Sequence, residues 1–227
     1  MFNRQRFNEQ NLFQLREIAF GLTFCGGFID AYSYLERGKT LVAGQTGNIV
    51  FLSADIAARN LPGFLVRFVT LIFFILGVAL ATYIETRPNK NVYWRVGILV
   101  PLIIFSLIVG FIPRGVSNLF IVPPLAFGMA MQVTAFSTIE GRGYANVFST
   151  GNLRKAVAAL VRLATLKRQE ELQTAIIYGC LVISFALGAL SAAGLRLIFG
   201  LQTIWWATFI LMGLMIFYSF LLYRRDF

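Results

Sequence analysis

The chain alternates between long apolar stretches and short polar segments. Six of the stretches approach or exceed the roughly 20 mostly apolar residues that a helix needs to cross a bilayer. They cover approximately residues 18–35, 64–84, 96–112, 119–139, 172–195 and 198–223. The pattern therefore predicts an all-α integral membrane protein, with six transmembrane helices in a single membrane domain formed by residues 1–227.

Two shorter segments between these stretches start with the same three residues. The first, 46–59, reads TGNIVFLSADIAAR, and the second, 150–166, reads TGNLRKAVAALVRLATL. Each predicts a short helix that Thr caps at its N terminus and that Gly-Asn lets the chain enter by a sharp turn. Because the second carries several cations, a full crossing is costly. We expect these helices either to lie in the interface or to dip partway into the bilayer and return.

The two halves of the chain are similar in sequence. Ala31-Tyr32-Ser33 and Thr46-Gly47-Asn48 recur 104 residues later as Ala135-Phe136-Ser137 and Thr150-Gly151-Asn152. With an offset of 111, Gly77 and Trp94 then match Gly188 and Trp205. Repeat one covers about 13–113 and repeat two about 117–225. Three crossings per repeat is an odd number, so the second repeat is expected to be inverted relative to the first. Inverted repeats build many transporters, with the solute site near the midplane.

Composition and charge support the membrane class and exclude others. The chain is 58% hydrophobic, only 13% charged and contains no His, which does not fit an ordinary soluble domain. Two Cys residues inside apolar stretches make no metal framework. The net charge of +10 comes mostly from residues at the ends of the stretches. This distribution places both termini in the cytoplasm by the positive-inside rule and gives no indication of nucleic-acid binding.

Asp30 is the ionisable residue best placed for function. It lies inside the first apolar stretch, in GGFIDAYSYL, and its counterpart in the second half is the neutral Thr134. Because an ionisable side chain within a span is costly, it indicates a protein interior or a wet cavity. Asp30 is therefore a candidate proton carrier or cation ligand. The alternative is that it is solvated near the outer interface, or that it caps the neighbouring Thr-Gly-Asn segment.

Further polar residues around Asp30 are predicted to contact a solute. If both short helices point their N termini toward the midplane, their free N–H groups and dipoles favour an anionic or polar ligand. The predicted binding residues are Asp30, Ser33, Thr46, Gly47, Asn48, Gln132, Thr134, Thr150, Gly151 and Asn152. The alternative is that Thr-Gly-Asn only caps a surface helix. We expect no catalytic residues, metal or cofactor, and no enzyme activity, because the chain lacks His, GxSxG and a phosphate-binding loop.

The motif GGFIDAYSYL, followed by VAGQTGNIVFL and later FSTGNL, resembles the YoaK-like family of bacterial membrane proteins over essentially the whole chain. The matching positions are Gly27, Asp30, Ala31, Ser33, Tyr34, Thr46, Gly47, Asn48, Thr150, Gly151 and Asn152. The resemblance implies a bacterial inner-membrane protein with about six spans, and it implies no activity because the family is uncharacterised. The sequence departs from the family at Gln132-Val133-Thr134, where Gln-Asn-Ala is expected, and this weakens a ligand role there.

Together these features predict a permeation protein, a transporter or channel, for a small polar or anionic solute, with proton coupling through Asp30. The alternative is a membrane scaffold or lipid-binding protein without a solute path. In that case the segment Arg154–Arg168 would attract anionic lipid headgroups. Assembly into a homo-oligomer is compatible with either function.

Overall fold

The computed structural model describes residues 12–88 and 91–225. The basic residues of 1–11 and Lys90, which contribute to the predicted orientation, lie outside these ranges. Eight α-helices are described: α1 (Arg16–Glu36), α2 (Gln45–Ala57), α3 (Leu61–Thr86), α4 (Trp94–Val109), α5 (Val122–Ala135), α6 (Ser149–Leu166), α7 (Glu170–Phe199) and α8 (Ile204–Arg225). Short 3-10 turns cover Leu12–Gln14, Asn118–Phe120 and Gly200–Thr203.

Four helical segments are long and apolar enough to cross a membrane. They are Arg16–Glu36, Leu61–Thr86, Asn118–Ala135 and Glu170–Arg225, and the last of them contains both α7 and α8. Helix α4 is apolar but shorter. Within the described ranges the strands are limited to a hairpin of β1 (Thr138–Ile139) and β2 (Arg142–Gly143). The predicted all-α membrane class is confirmed.

The predicted fourth stretch is too long at its C-terminal end. It was expected to run to residue 139, but α5 ends at Ala135 and the chain turns into the β hairpin. The hairpin closes through the bond from Tyr144 N to Ser137 O, 2.9 Å. Glu140 and Gly141 form its turn with positive φ values of 46° and 77°. The sequence remains apolar beyond the end of α5 because Ile139, in the hairpin, packs into a buried cluster.

The two short helices form where the Thr-Gly-Asn motifs predict them, but the predicted Thr caps are wrong. Helix α2 begins one residue before Thr46, with Gly44 at the N-cap, and α6 begins one residue before Thr150, with Phe148 there. Neither N-cap residue provides a side-chain hydrogen bond. Thr46 and Thr150 therefore lie inside the first turn, where their own amides are among the free N–H groups of the helix start.

The packing of the first half is matched by that of the second. In the first half α3 packs on α5, and in the second half α7 packs on α1 in the same way. Each short helix packs on the helix that follows it, α2 on α3 and α6 on α7. The last helix of each half packs on the first helix of the other half, α4 on α5 and α8 on α1. A Cβ on Gly188 of α7 would collide with the backbone oxygen of Phe24, and one on Gly77 of α3 with that of Phe127. Gly77 and Gly188 are the repeat-related glycines, so small residues allow the same close helix approach in both halves.

One end of the bundle, called here the Arg16 end, contains the start of α1 and the end of α5. The Arg16 guanidinium donates two hydrogen bonds to the Glu140 carboxylate, at 2.7 and 2.8 Å. Arg95, at the start of α4, donates to the Ala135 backbone oxygen at 2.9 Å. These contacts bring the starts of α1 and α4 to the same end of the bundle as the hairpin after α5.

The opposite end, called here the Glu36 end, joins the end of α1 to the end of α4 and to α7. The buried Arg37 side chain donates to the backbone oxygens of Val109 and Ile112, at 2.9 and 2.7 Å. Glu36 pairs with Arg114 at 2.7 Å and with Arg196 at 3.5 Å. The hydrogen bond to Glu36 raises the pKa of the Arg114 guanidinium. These links connect helix ends that are far apart in sequence.

Candidate functional site

A cavity of about 860 Å³ lies between α1 and α7, where the starts of both short helices meet. Its wall is mostly apolar and includes Phe185 and Ala189 of α7. The polar side chains of the wall are few: Asp30 and Tyr34 from α1, Thr46 from α2, and Ser149 and Thr150 from α6. Concave, mainly apolar sites with a few convergent polar groups are the usual form of small-molecule binding sites.

The first loop, residues 37–44, leads from the Glu36 end back into the bundle. The Ala43 amide donates to the Asp30 carboxylate at 2.8 Å. Asp30 is six residues from the end of α1, which corresponds to roughly 9 Å along the helix axis. Helix α2 then leads outward, and an ion pair of Asp55 with Arg67 joins its last turn to α3. Arg67 also donates to the Lys39 backbone oxygen, near the end of α1.

The second loop, residues 136–148, enters from the Arg16 end. A Cβ on Gly26 would lie 2.8 Å from the Asn146 backbone oxygen, so this loop reaches the middle of α1. Helix α6 then leads back, and Arg162 near its end pairs with Glu171 at the start of α7. The two short helices therefore start inside the bundle and lead to its opposite ends.

Asp30 holds the first loop in place. It is only 5% exposed, and besides Ala43 the backbone amides of Val42 and Gly44 hydrogen-bond to its carboxylate. These amides precede Thr46-Gly47-Asn48, so Asp30 holds the loop that leads to the motif and does not cap the amides of the motif itself. Because the same carboxylate borders the cavity, a loop-holding role and a role in solute or proton binding are compatible.

The two motif asparagines close their loops in the same way. Asn48 accepts from the Leu41 amide at 2.9 Å and donates to the Leu41 oxygen at 2.7 Å. Asn152 donates to the Ala145 oxygen at 2.8 Å. Leu41 and Ala145 are themselves separated by 104 residues, so the repeat preserves the contact as well as the motif. Both asparagines are buried and neither lines the cavity.

This contact predicts unequal effects for the two asparagines. Asn48→Ala is expected to lower the free energy of unfolding by about 2–3 kcal/mol. The substitution removes three hydrogen bonds, and the Leu41 amide and carbonyl lose the side chain to which both are bonded. Asn152→Ala removes one hydrogen bond and is expected to cost about 1 kcal/mol. Unfolding of the purified variants by SDS titration in mixed micelles measures both. Equal losses would contradict the assignment.

The structure brings together only part of the predicted site. Asp30, Thr46, Gly47 and Thr150 line the cavity, whereas Ser33, Asn48, Gln132, Thr134, Gly151 and Asn152 do not. Ser33 donates to the Thr40 oxygen at 2.8 Å and Thr134 to the Ala130 oxygen at 2.8 Å. Gln132 is fully buried, and its side-chain amide donates a long hydrogen bond of 3.5 Å to the Leu22 oxygen. Gly151 is exposed on α6.

Sequence reasoning missed several residues of the wall. Ser149 could have been found, because it precedes Thr150 as Gln45 precedes Thr46, and both positions are polar. Phe185 and Ala189 carried no such signal, since apolar residues of α7 look the same in sequence whether they face a cavity, a helix or lipid.

Comparison with known proteins agrees with the membrane architecture. Residues 18–217 match the family described as "Protein of unknown function (DUF1275)". The chain is 25% identical over 184 residues to the UPF0700 transmembrane protein YoaK of Bacillus subtilis (strain 168), an alignment that covers 76% of this chain and 80% of that protein. No solved structure matches the chain. The resemblance to YoaK-like proteins deduced from the motifs is confirmed by this match, and the chain belongs to the DUF1275 family of proteins of unknown function.

Proposed function

We propose that this protein is a membrane permeation protein, a transporter or channel, for a small polar or anionic solute. The observation that carries the proposal is that the starts of α2 and α6 reach one cavity from opposite ends of the bundle. Their first-turn amides have no side-chain cap from the preceding residue. Such amides, with the positive ends of the helix dipoles, favour a polar or anionic group.

The proposed topology is six crossings in two inverted repeats. Helices α1, α3 and α4 would cross in the first repeat, and α5, α7 and α8 in the second. The matched packing of the two halves and the separation of helix ends into an Arg16 end and a Glu36 end support this arrangement. The positive-inside rule then puts the Arg16 end and both termini in the cytoplasm of a bacterial cell, with the protein in the cytoplasmic membrane.

Asp30 would couple the solute to protons. Its carboxylate shares the cavity with the two helix starts, so an ionised Asp30 repels an anion that these helix starts attract. Protonation of Asp30 removes the repulsion and weakens its hold on the loop amides. A solute and a proton would therefore bind together, as expected of a proton-coupled carrier.

Uptake into proteoliposomes tests the proposal. Vesicles containing a pH-sensitive dye are challenged in turn with inorganic phosphate, short carboxylates and amino acids, and solute uptake is followed with isotopic label. We expect at least one polar or anionic solute to enter faster than into protein-free vesicles. Ala31→Trp places a large ring in the cavity wall and is expected to abolish this uptake.

The matched control is Val50→Trp, which adds the same ring to α2 at a position that is 63% exposed and outside the cavity wall. It is expected to leave uptake unchanged. The proposal fails if no solute enters above background, or if folded Ala31→Trp transports as well as the wild type.

A second candidate is a scaffold or lipid-binding protein. It is favoured by α6, on which Leu153, Val157, Leu160 and Val161 are each about half exposed beside the exposed Arg154. Apolar and basic residues on one helix suit contact with acyl chains and anionic headgroups. In the uptake assay this candidate is distinguished by protein that folds, remains in the membrane and moves no solute.

A further inference from the structure

A groove of about 580 Å³ lies at the Glu36 end, between the start of α3 and the segment 114–119, which leads to α5. The α3 part of its wall is mostly apolar and includes Leu61 and Leu65. The polar side chains of the wall are those of Arg114, Ser117 and Asn118. The groove therefore combines an apolar wall with a cationic, hydrogen-bonding one. It shares no lining residue with the cavity between α1 and α7.

The apolar wall continues along an exposed stripe of α3. Its side chains recur at intervals of three or four residues, so they lie on one side of the helix, and each is at least 39% exposed. They are Leu61, Leu65, Phe68, Ile72, Leu76 and Leu80. Since α3 is long and apolar enough to cross a membrane, the stripe faces acyl chains in a bilayer. A chain that lies along it reaches the groove at the start of α3.

Arg114 keeps positive charge available to a ligand. Its side chain is 69% exposed, and one guanidinium nitrogen donates to Glu36 at 2.7 Å. Glu36 also pairs with Arg196, so the three residues together carry a net charge of +1. Because a guanidinium has five N–H donors in a fork that matches phosphate, Arg114 can bind a phosphate and keep its ion pair.

The positive charge at this end extends beyond Arg114. Among the described residues, six cations lie near the helix ends there, against two carboxylates, those of Glu36 and Asp55. The cations are Arg37, Lys39, Arg59, Arg67, Arg114 and Arg196. This excess favours an anionic headgroup over a zwitterionic one. Basic pockets beside membrane-spanning helices are typical sites for lipid headgroups.

We propose that the groove binds an anionic phospholipid, with its phosphate beside Arg114 and one acyl chain along the exposed stripe of α3. The Ser117 hydroxyl and the Asn118 amide supply further hydrogen-bond donors for the headgroup. A free phosphate would leave the apolar wall uncovered. The bound lipid would hold α3 of the first repeat against the segment that enters the second. This inference is independent of the proposed function, because it concerns a separate groove.

Native mass spectrometry of the delipidated protein in detergent tests the site. The protein is titrated with phosphatidylglycerol or with phosphatidylcholine of the same acyl chains, and the bound lipids are counted. We expect the first phosphatidylglycerol to bind with several-fold higher affinity than phosphatidylcholine. Arg114→Gln is expected to lower the affinity for phosphatidylglycerol several-fold, to that for phosphatidylcholine. Because the Arg114 side chain is largely exposed and Glu36 retains Arg196, this variant is expected to fold.

The matched control for charge is Arg224→Gln, which removes one exposed cation from the last turn of α8. It is expected to leave the first phosphatidylglycerol bound as in the wild type. Leu65→Trp tests the apolar wall, since its ring fills the groove and is expected to lower the affinity for both lipids. Its control is Ile183→Trp, on α7 at a position that is 58% exposed and outside the groove.

Three outcomes would overturn the inference. The first is equal affinity of the wild type for the two lipids. The second is displacement of phosphatidylglycerol by an equal concentration of inorganic phosphate, since the groove would then recognise phosphate alone. The third is loss of phosphatidylglycerol in Arg154→Gln but not in Arg114→Gln, which would place the lipid on α6.

Discussion

Asp55→Asn is expected to destabilise the protein by about 3–5 kcal/mol, because it leaves the Arg67 guanidinium buried without a counter-charge. Both residues are 8% exposed. Asp55 accepts a hydrogen bond from Asn60 at 2.8 Å in addition to its ion pair with Arg67, and Arg67 also donates to the Lys39 oxygen. The pair therefore ties the end of α2 and the start of α3 to the turn after α1.

The second repeat supplies the matched control for this effect. Arg162 and Glu171 join the end of α6 to the start of α7, which is the equivalent place in the fold. The Arg162 side chain is 45% exposed, so solvent screens the pair, and Glu171→Gln is expected to cost about 1 kcal/mol or less. Unfolding by SDS titration of both variants measures the difference between the buried and the exposed pair.

A double variant separates the charge from the packing. Asp55→Asn combined with Arg67→Met removes the stranded charge and is expected to recover most of the stability lost in Asp55→Asn. If Asp55→Asn lowers the free energy of unfolding by no more than Glu171→Gln does, the buried ion pair stabilises the protein no more than the exposed one, and α2 is held by its other contacts.

The hydrophobic pattern predicted the helices well because each apolar face must be buried in protein or lipid. The repeated Thr-Gly-Asn motifs also located both short helices. What they did not reveal was the role of each residue. Thr46 and Thr150 do not cap their helices, and Asn48 closes a loop by bonding to Leu41, seven residues earlier. Motif spacing identifies a turn, but its hydrogen bonds depend on how the preceding loop folds back.

The cavity was only partly predictable for a different reason. Asp30 was identified because a carboxylate within a span is costly, and that cost is visible in sequence. Phe185 of α7 reaches the same wall through the packing of α7 on α1, which no local pattern encodes. Gln132 was predicted to contact the solute, yet it lies outside the cavity wall, because its side chain contacts the Leu22 oxygen of α1 rather than facing Asp30.

Asp30→Asn and Asp30→Ala are expected to separate the two roles of this carboxylate. Asn keeps one oxygen that can accept from the Ala43 amide, so its stability should remain within about 1 kcal/mol of the wild type. Ala leaves the buried loop amides without an acceptor and is expected to cost about 1–3 kcal/mol. SDS titration of the two variants tests the loop-holding role without reference to transport.

The transport role predicts a different order of effects. Asp30→Asn imitates the protonated carboxyl: it removes the charge that repels an anion from the amides of α2 and α6, but it cannot release a proton. The variant should therefore bind an anionic solute without pH dependence, while proton-driven accumulation in proteoliposomes falls more than about tenfold, equivalent to about 1.4 kcal/mol of lost coupling. A folded Asp30→Asn protein that accumulates solute as the wild type does would show that Asp30 holds the first loop and carries no proton. Because the related position is the neutral Thr134, the transport role would assign the coupling to one repeat, and a single substitution is expected to remove it.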